Sequence, residues 1–299
     1  MAVVRGSAEY TGSGAVVTIG NFDGVHLGHR ALLDAARSIA GPRSSGVCAY
    51  TFHPAPRDVL RPDNGILRIQ DLDDRVRALH EAGADDVLVE PFDLTFAART
   101  PDWFAEEVLT RRLRASAVVV GWDFRFGRGR SGTAEGLRTL LDVPVHQVQA
   151  VELEGQVISS SRIREHLTAG DVQGAARLLG RPHEVVGTVV QGDARGRELG
   201  FPTANLDSRT PLVPANGVYA ARLHTGEGAV VNVGTRPTFG GGATTVEVHV
   251  LDFAGDLYGA ELHVGFVERL RGEQAFPGRD ALVAQIARDV ERARALLAE

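Results

Sequence analysis

The chain has 299 residues, 43% of them hydrophobic and 23% charged, which excludes a disordered or collagen-like polymer and provides apolar material for roughly two cores of about 150 residues each. All 32 cationic side chains are arginines, so Schiff-base catalysis, a Walker-A loop and a protein-kinase ATP lysine are excluded in their usual forms, and phosphate must be handled by Arg, backbone N–H groups, hydroxyls, His or a metal. The formal charge of −6 provides no global basic field for nucleic acid or an anionic membrane, while small anions remain accessible to local arginines.

Up to about residue 180, short β-branched runs alternate with helical patterns, the signature of a parallel α/β sheet. Strands are predicted at 15–19, 46–52, 86–90, 115–121 and 143–148. Asp71 is placed to cap a helix that ends at Gly83. Thr100-Pro101 supplies an N-cap followed by proline at the first helical position, ahead of a helix over 103–114. Asp171 opens a short helix ending at Leu179-Gly180. After Arg181-Pro182, which reads as a linker, the apolar period becomes two and the connections become Gly-rich, as in an antiparallel barrel. Along Thr245-Val246-Glu247-Val248-His249-Val250 the valines share one face, and 260–266 alternates in the same way. Residues 279–297 carry apolar side chains at 282, 283, 286, 290, 293 and 297, an amphipathic helix for the barrel. The expected domains are 1–182 and 183–299. A GC-rich codon bias accounts for the missing lysine, and 35 glycines exceed the usual ~7% share, implying many turns or close backbone approaches.

Strand 15–19 runs into Gly20-Asn21-Phe22-Asp23-Gly24-Val25-His26-Leu27-Gly28-His29-Arg30. Strand, glycine loop and helix start form a phosphate cradle, because N–H groups and the helix dipole point at one place. His26 and His29, three apart at a helix start, can face one ligand. A zinc site is the rival reading, but zincin helices space their histidines four apart with a glutamate between and no third ligand is evident; two packed histidines are the plain alternative. This segment resembles the HxGH signature of the nucleotidyltransferase superfamily, in which both histidines stabilise charge at the α-phosphate. Class I aminoacyl-tRNA synthetases share the signature but usually add a lysine-containing motif, which is absent here.

Further along, Ile158-Ser159-Ser160-Ser161-Arg162-Ile163-Arg164 resembles the ISSTxxR element with Ser161 for Thr, which implies that Ser160, Ser161 and Arg164 hold the β- and γ-phosphates. Gly121-Trp122-Asp123-Phe124-Arg125-Phe126-Gly127 and Thr51-Phe52-His53-Pro54-Ala55-Pro56 follow strands, where open α/β sheets bind ligands, and carry rings able to stack on a planar group. Together these motifs resemble the prokaryotic bifunctional riboflavin kinase/FAD synthetase family, although Ala55 stands where the family usually has histidine. The resemblance extends through the segment from Gly187-Thr188 to Gly200-Phe201-Pro202-Thr203-Ala204-Asn205, then Asn232-Val233-Gly234, Glu247, Asp252-Phe253, Tyr258-Gly259 and the stretch ending at Arg271.

From the residues alone, the glycines and arginines of 187–200 suit a flap over phosphates. Thr203 and Asn205 offer two hard oxygen ligands on one face of an extended chain, as Mg²⁺ requires; in isolation such a pair reads equally as turn chemistry. The resemblance implies an N-terminal Rossmann-like nucleotidyltransferase domain with a parallel sheet and a C-terminal six-stranded antiparallel flavokinase barrel with a terminal helix. It implies ATP, riboflavin, FMN and FAD as substrates and products, with Mg²⁺ as cofactor. Catalysis is assigned to His26, His29 and the base Glu247. Nucleotide and phosphate contacts fall to Gly20, Phe22, Asp23, Gly28, Asp123, Ser160, Ser161, Arg164, Gly187, Arg195, Arg197 and Gly200, flavin contacts to Phe52, Phe124 and Arg271, and metal contacts to Thr203 and Asn205. A transferase acting on another phosphoester and a flavin carrier without catalysis are the other readings. With the single Cys48, no hydrophobic leader and no apolar run near ~18 residues, a cytoplasmic protein is expected, without nucleic-acid or membrane partners; oligomeric state is not encoded legibly.

Overall fold

A computed structural model describes residues 2–41, 46–62, 65–192, 196, 199–236 and 243–298, with the side chains of 2, 236 and 243 excepted. The chain divides into two compact units, Met1–Ser159 and Ser160–Glu299.

In the first unit, β1 (Ala2–Arg5), β2 (Val16–Ile19), β3 (Val47–His53), β4 (Asp86–Pro91), β5 (Ala117–Gly121) and β8 (Val145–Val148) form one parallel sheet in the order β1-β4-β3-β2-β5-β8. The inner strands are apolar at successive positions because both faces are covered. Val16, Val47 and Val119 face a core with Leu33 and Ala36 of helix α1 (Leu27–Ala40). Val17, Cys48 and Val118 face the opposite core with Phe104, Val108 and Leu109. Helices α2 (Pro56–Leu60), α3 (Leu72–Glu81), α4 (Leu94–Ala97), α5 (Pro101–Trp103) and α6 (Ala134–Leu140) complete the layers, with hairpins β6 (Arg125–Phe126)/β7 (Gly132–Thr133) and β9 (Glu152–Leu153)/β10 (Gln156–Val157). The expected caps form: Asp71 accepts from the Asp74 N–H at 2.8 Å and Thr100 from the Trp103 N–H at 3.2 Å.

Two features depart from the sequence expectation. Strand β1 lies outside the expected strands; it is a short edge strand, too brief for a periodic signal, and pairs with β4. The helix expected over 103–114 winds as a π-helix over Phe104–Arg112. Leu113 N–H donates to Val108 C=O at 2.9 Å, and Glu106–Arg111 and Glu107–Arg112 pair at i,i+5, where an α-helix would favour i,i+4.

The connection from β2 runs to β3 on one side of the sheet, and that from β5 runs to β8 on the other. The carboxyl ends of β2 and β5 therefore flank the topological switch point, where open α/β sheets bind ligands.

In the second unit, β11 (His183–Val190), β12 (Ala204–Ser208), β13 (Gly217–Leu223), β14 (Gly228–Arg236), β15 (Ala243–Val250) and β16 (Glu261–Arg271) close into an antiparallel barrel ordered β11-β12-β15-β14-β13-β16. Helix α9 (Arg279–Leu297) sets Val290 and Ala293 against Val218, Ala220 and Val230. Helices α7 (Ser160–Ala169) and α8 (Val172–Leu179) belong to this unit. Leu167 C=O accepts from the Ala215 N–H at 3.0 Å, Arg269 donates to Ala169 C=O at 3.2 Å, and Gln173 to Glu268 at 3.2 Å. Thus contacts divide at Ser159/Ser160, ahead of the change in chain texture at Arg181-Pro182.

Candidate active sites

The loop after β2 is built to present His26 and His29. His26 is the N-cap of α1, its Nδ1 accepting from the His29 N–H at 3.3 Å, which leaves the proton of a neutral ring on Nε2. The two imidazoles stack with centroids 3.6 Å apart, and Phe22 meets His29 edge-on at 5.2 Å. Phe22 is fully buried at φ 51°. A Cβ on Gly20 would lie 3.1 Å from its ring, and one on Gly28 would lie 3.1 Å from the His26 ring. Gly20 and Gly28 thus allow the rings to approach the backbone. Asp23 is buried and accepts from the Ile69 N–H at 2.9 Å, with Arg68 3.9 Å away. Its side chain therefore anchors the loop to the segment that carries Arg68 and Ile69.

Arg75 completes that anchor, and the motifs did not reveal it. This nearly buried guanidinium donates to Asn21 C=O and Phe52 C=O, both at 3.0 Å, tying the ends of β2 and β3 together. Burial lowers its pKa, opposed by the nearby Asp23 carboxylate. The available signal was an arginine on the face of α3 that also buries Ala78 and Leu79.

Around this loop, Phe52 packs edge-on against Tyr50, Phe92 and Phe96, and Phe124 stacks on Phe126 at 5.3 Å. Asp123 is exposed in the turn after β5, where Phe124 N–H donates to Gly121 C=O at 3.2 Å. His53 ends β3; burial, then Arg75 and Arg5, hold its imidazole below the ordinary range. Ala55 is buried at the start of α2. The carbonyl of Ile158, at the head of the serine motif, is 3.8 Å from where a Gly28 Cβ would stand. Ser160 and Ser161 form the first turn of α7, with Arg164 one turn later on the same side.

In the barrel, register assembles the second set. Asn205 on β12 lies directly opposite Glu247 on β15, and Glu247 lies opposite Asn232 on β14. Facing residues of antiparallel strands have Cβ atoms about 4.5–5.5 Å apart, so these three side chains form one row outside the buried Val231, Val233, Val246 and Val248. Thr203 precedes β12 two residues from Asn205. A Cβ on Gly192 would overlap the Asn205 amide and one on Gly196 would come 2.9 Å from Thr203 Oγ1, so both glycines admit the loop close to these oxygens. His249, two residues beyond Glu247, bonds through Nδ1 to Pro202 C=O at 2.8 Å and meets Phe201 edge-on, fixing the segment that carries Thr203.

Gly187 is needed because a Cβ there would lie 2.3 Å from Asp207 C=O, a demand of the β11–β12 pairing; Gly200 has φ 86° in open space. Arg195 and Arg197 lie outside the described residues, as do 237–239. Arg271 donates through Nε to the buried Asp289 of α9 at 2.8 Å, with its guanidinium carbon 5.5 Å from the Phe276 ring. Val189, Gln191 and Tyr258 line an open depression of about 410 Å³ at the end of β11. Among the described residues no group of three or more His, Cys, Asp or Glu side chains could hold a metal, and no helix is long and apolar enough to cross a membrane.

Comparison with known proteins agrees with this two-part construction. The FAD synthetase family matches residues 9–162 and the riboflavin kinase family matches residues 179–297. The bifunctional riboflavin kinase/FMN adenylyltransferase of Escherichia coli strain K12 is 42% identical over 291 residues, covering 94% of this chain and 92% of its own. That of Haemophilus influenzae is 38% identical over 304 residues, covering 99% of each chain. A crystal structure from Streptococcus pneumoniae, named there a macrolide-efflux protein, superimposes with a TM-score of 0.91 at 34% identity and 98% coverage of both chains. The chain belongs to the family of bifunctional riboflavin kinase/FMN adenylyltransferases, its FAD synthetase part lying N-terminal to its riboflavin kinase part.

Proposed function

We propose that residues 183–299 carry the kinase reaction around Glu247 and that residues 1–182 carry the adenylyl transfer around His26 and His29. In the kinase reaction the terminal hydroxyl oxygen of riboflavin bonds to the γ-phosphorus of ATP. The bond from that phosphorus to the bridging oxygen breaks, ADP leaves, and the hydroxyl proton passes to the Glu247 carboxylate. The observation supporting this is the register that sets Glu247 beside Asn205, joining a proton acceptor to the phosphate end of the site.

Thr203 Oγ1 and the Asn205 carbonyl suit Mg²⁺, which when bound would neutralise charge on the ATP oxygens; with no carboxylate cluster present, most of its ligands would be phosphate oxygens and water. The Tyr258 depression suits the planar base.

In the adenylyl transfer a phosphate oxygen of FMN attacks the α-phosphorus of ATP and pyrophosphate leaves. The attacking oxygen is already anionic, so no general base is required. His26 and His29 donate to the charge that develops on the phosphate oxygens, while Ser160, Ser161 and Arg164 hold the departing phosphates. The FAD synthetase family matches residues 9–162, which hold both histidines together with Ser160 and Ser161, and this supports assigning them to one reaction. Phe52 and Phe124 offer rings to the flavin. A reduced, buried Cys48 and two ATP-consuming reactions suit the cytoplasm.

Incubation with riboflavin, ATP and Mg²⁺, followed by chromatographic separation of flavins, tests this reading. Glu247→Gln should lower FMN formation by ~10²–10⁴ while FMN supplied directly is still adenylylated. His29→Ala should lower FAD formation by ~10²–10³ and let FMN accumulate. A folded Glu247→Gln protein that has also lost adenylylation would contradict two separate sites.

A further inference from the structure

Asn232-Val233-Gly234 matches the family pattern yet has no role in the reactions above. Gly234 faces outward on β14, two residues from Asn232 and opposite Thr245. A Cβ on Gly234 would stand 3.6 Å from Glu273 Oε1, 3.6 Å from Thr245 Oγ1 and 3.8 Å from Asn232 Nδ2. Three polar atoms from three segments therefore converge over a residue without a side chain. Among the described residues the Asn232 amide and the Glu273 carboxylate form no hydrogen bond or ion pair; Thr245 Oγ1 donates to Gly234 C=O at 3.3 Å and retains acceptor capacity.

An amide offers two donors and a carbonyl, a carboxylate only accepts, and a hydroxyl that has donated still accepts. Successive alcohol groups, each giving and taking one hydrogen bond, complement that set. The carboxylate and the absence of a cation among the three groups disfavour a phosphate. The position is equally specific. Asn232 stands on one side of Glu247 and Asn205 on the other, so this cradle adjoins the base on the side away from the proposed metal. Glu273 belongs to the segment between Arg271 and Phe276, whose side chains lie 5.5 Å apart.

We propose that the cradle over Gly234, formed by Asn232, Thr245 and Glu273, binds the polyhydroxyl chain of the flavin and thereby favours riboflavin over flavins that lack those alcohols. This rests on the kinase reading of Glu247. The test uses the full chain with two acceptors, riboflavin and an N10-(5-hydroxypentyl) flavin that keeps the terminal hydroxyl and lacks the other three. Asn232→Ala removes the amide. Gly234→Ala fills the floor with a methyl group whose nearest neighbours are at ordinary van der Waals distance, so the barrel accommodates it.

Each variant should raise KM for riboflavin about 3- to 10-fold, the weight of one neutral hydrogen bond. KM for ATP and the kinetics with the hydroxypentyl flavin should stay near wild type, so that the preference for riboflavin shrinks. Unchanged riboflavin KM in both variants, or equal losses toward both flavins, would overturn the cradle while leaving the kinase reading intact. A wild-type protein that phosphorylates neither flavin overturns both.

Discussion

Asp23 and His183 show how single buried groups carry the frame of each unit. Asp23 accepts the Ile69 N–H from within the histidine loop. Asp23→Ala leaves that donor buried and unpaired and weakens the anchor shared with Arg75, so a loss of about 1–3 kcal/mol is expected, measured as a lower denaturant midpoint. His183 is completely buried at the start of β11, its Nε2 bonded to Leu212 C=O at 2.8 Å. Burial pushes its imidazole down to about 4, against the pull of that carbonyl, from an ordinary value of 6.5. Below pH 6.5 the unfolded chain binds a proton that the folded barrel refuses, so stability falls with pH until about 4, by roughly 3 kcal/mol in total. Thermal unfolding followed from pH 7 to pH 5 should show this decline, and His183→Gln should flatten it.

At the scale of elements, local chemistry and long-range demands separate cleanly. The stop of α8 at Gly180, left-handed at φ 75°, and its start at Asp171, which accepts the Gly174 N–H at 2.8 Å, are both legible because each involves neighbours in the chain. Burial raises the Asp171 pKa, but the Gly174 N–H and His166 outweigh it and the net shift is downward. The cap therefore holds above the ordinary carboxylate range and is lost only as pH falls through the lowered value. Asp171→Ala should cost about 1 kcal/mol, seen as a lower melting temperature of the second unit at neutral pH, with a smaller difference between variant and wild type in acid. The π-winding of 104–112 is not legible, because the same residues suit an α-helix and nothing in their local spacing marks the i,i+5 bonds.

For the whole molecule, the placement of α7 and α8 has a direct consequence. Leu167, Val172, Leu178 and Leu179 are buried, and α8 packs on β11 and β16 of the barrel, so a fragment 160–299 should unfold at a higher temperature than a fragment 184–299. Each kcal/mol regained corresponds to roughly 4 °C at this size. Both fragments should retain kinase activity at temperatures where they are folded; equal melting temperatures would show that the helix pair contributes nothing to the barrel. The sequence by itself determined the two architectures, the order of the motifs and the caps, since period, turn chemistry and spacing act over a few residues. It also determined that phosphate would be met without lysine. Only the tertiary structure decided that Arg75 clamps two strand ends, that His249 holds Pro202, that β11 needs glycine at 187 for the approach of β12, and that Asn205, Glu247 and Asn232 form one row. Those facts depend on strand order and register, which are set by closing the sheet and the barrel around their cores and bring together residues distant in the chain.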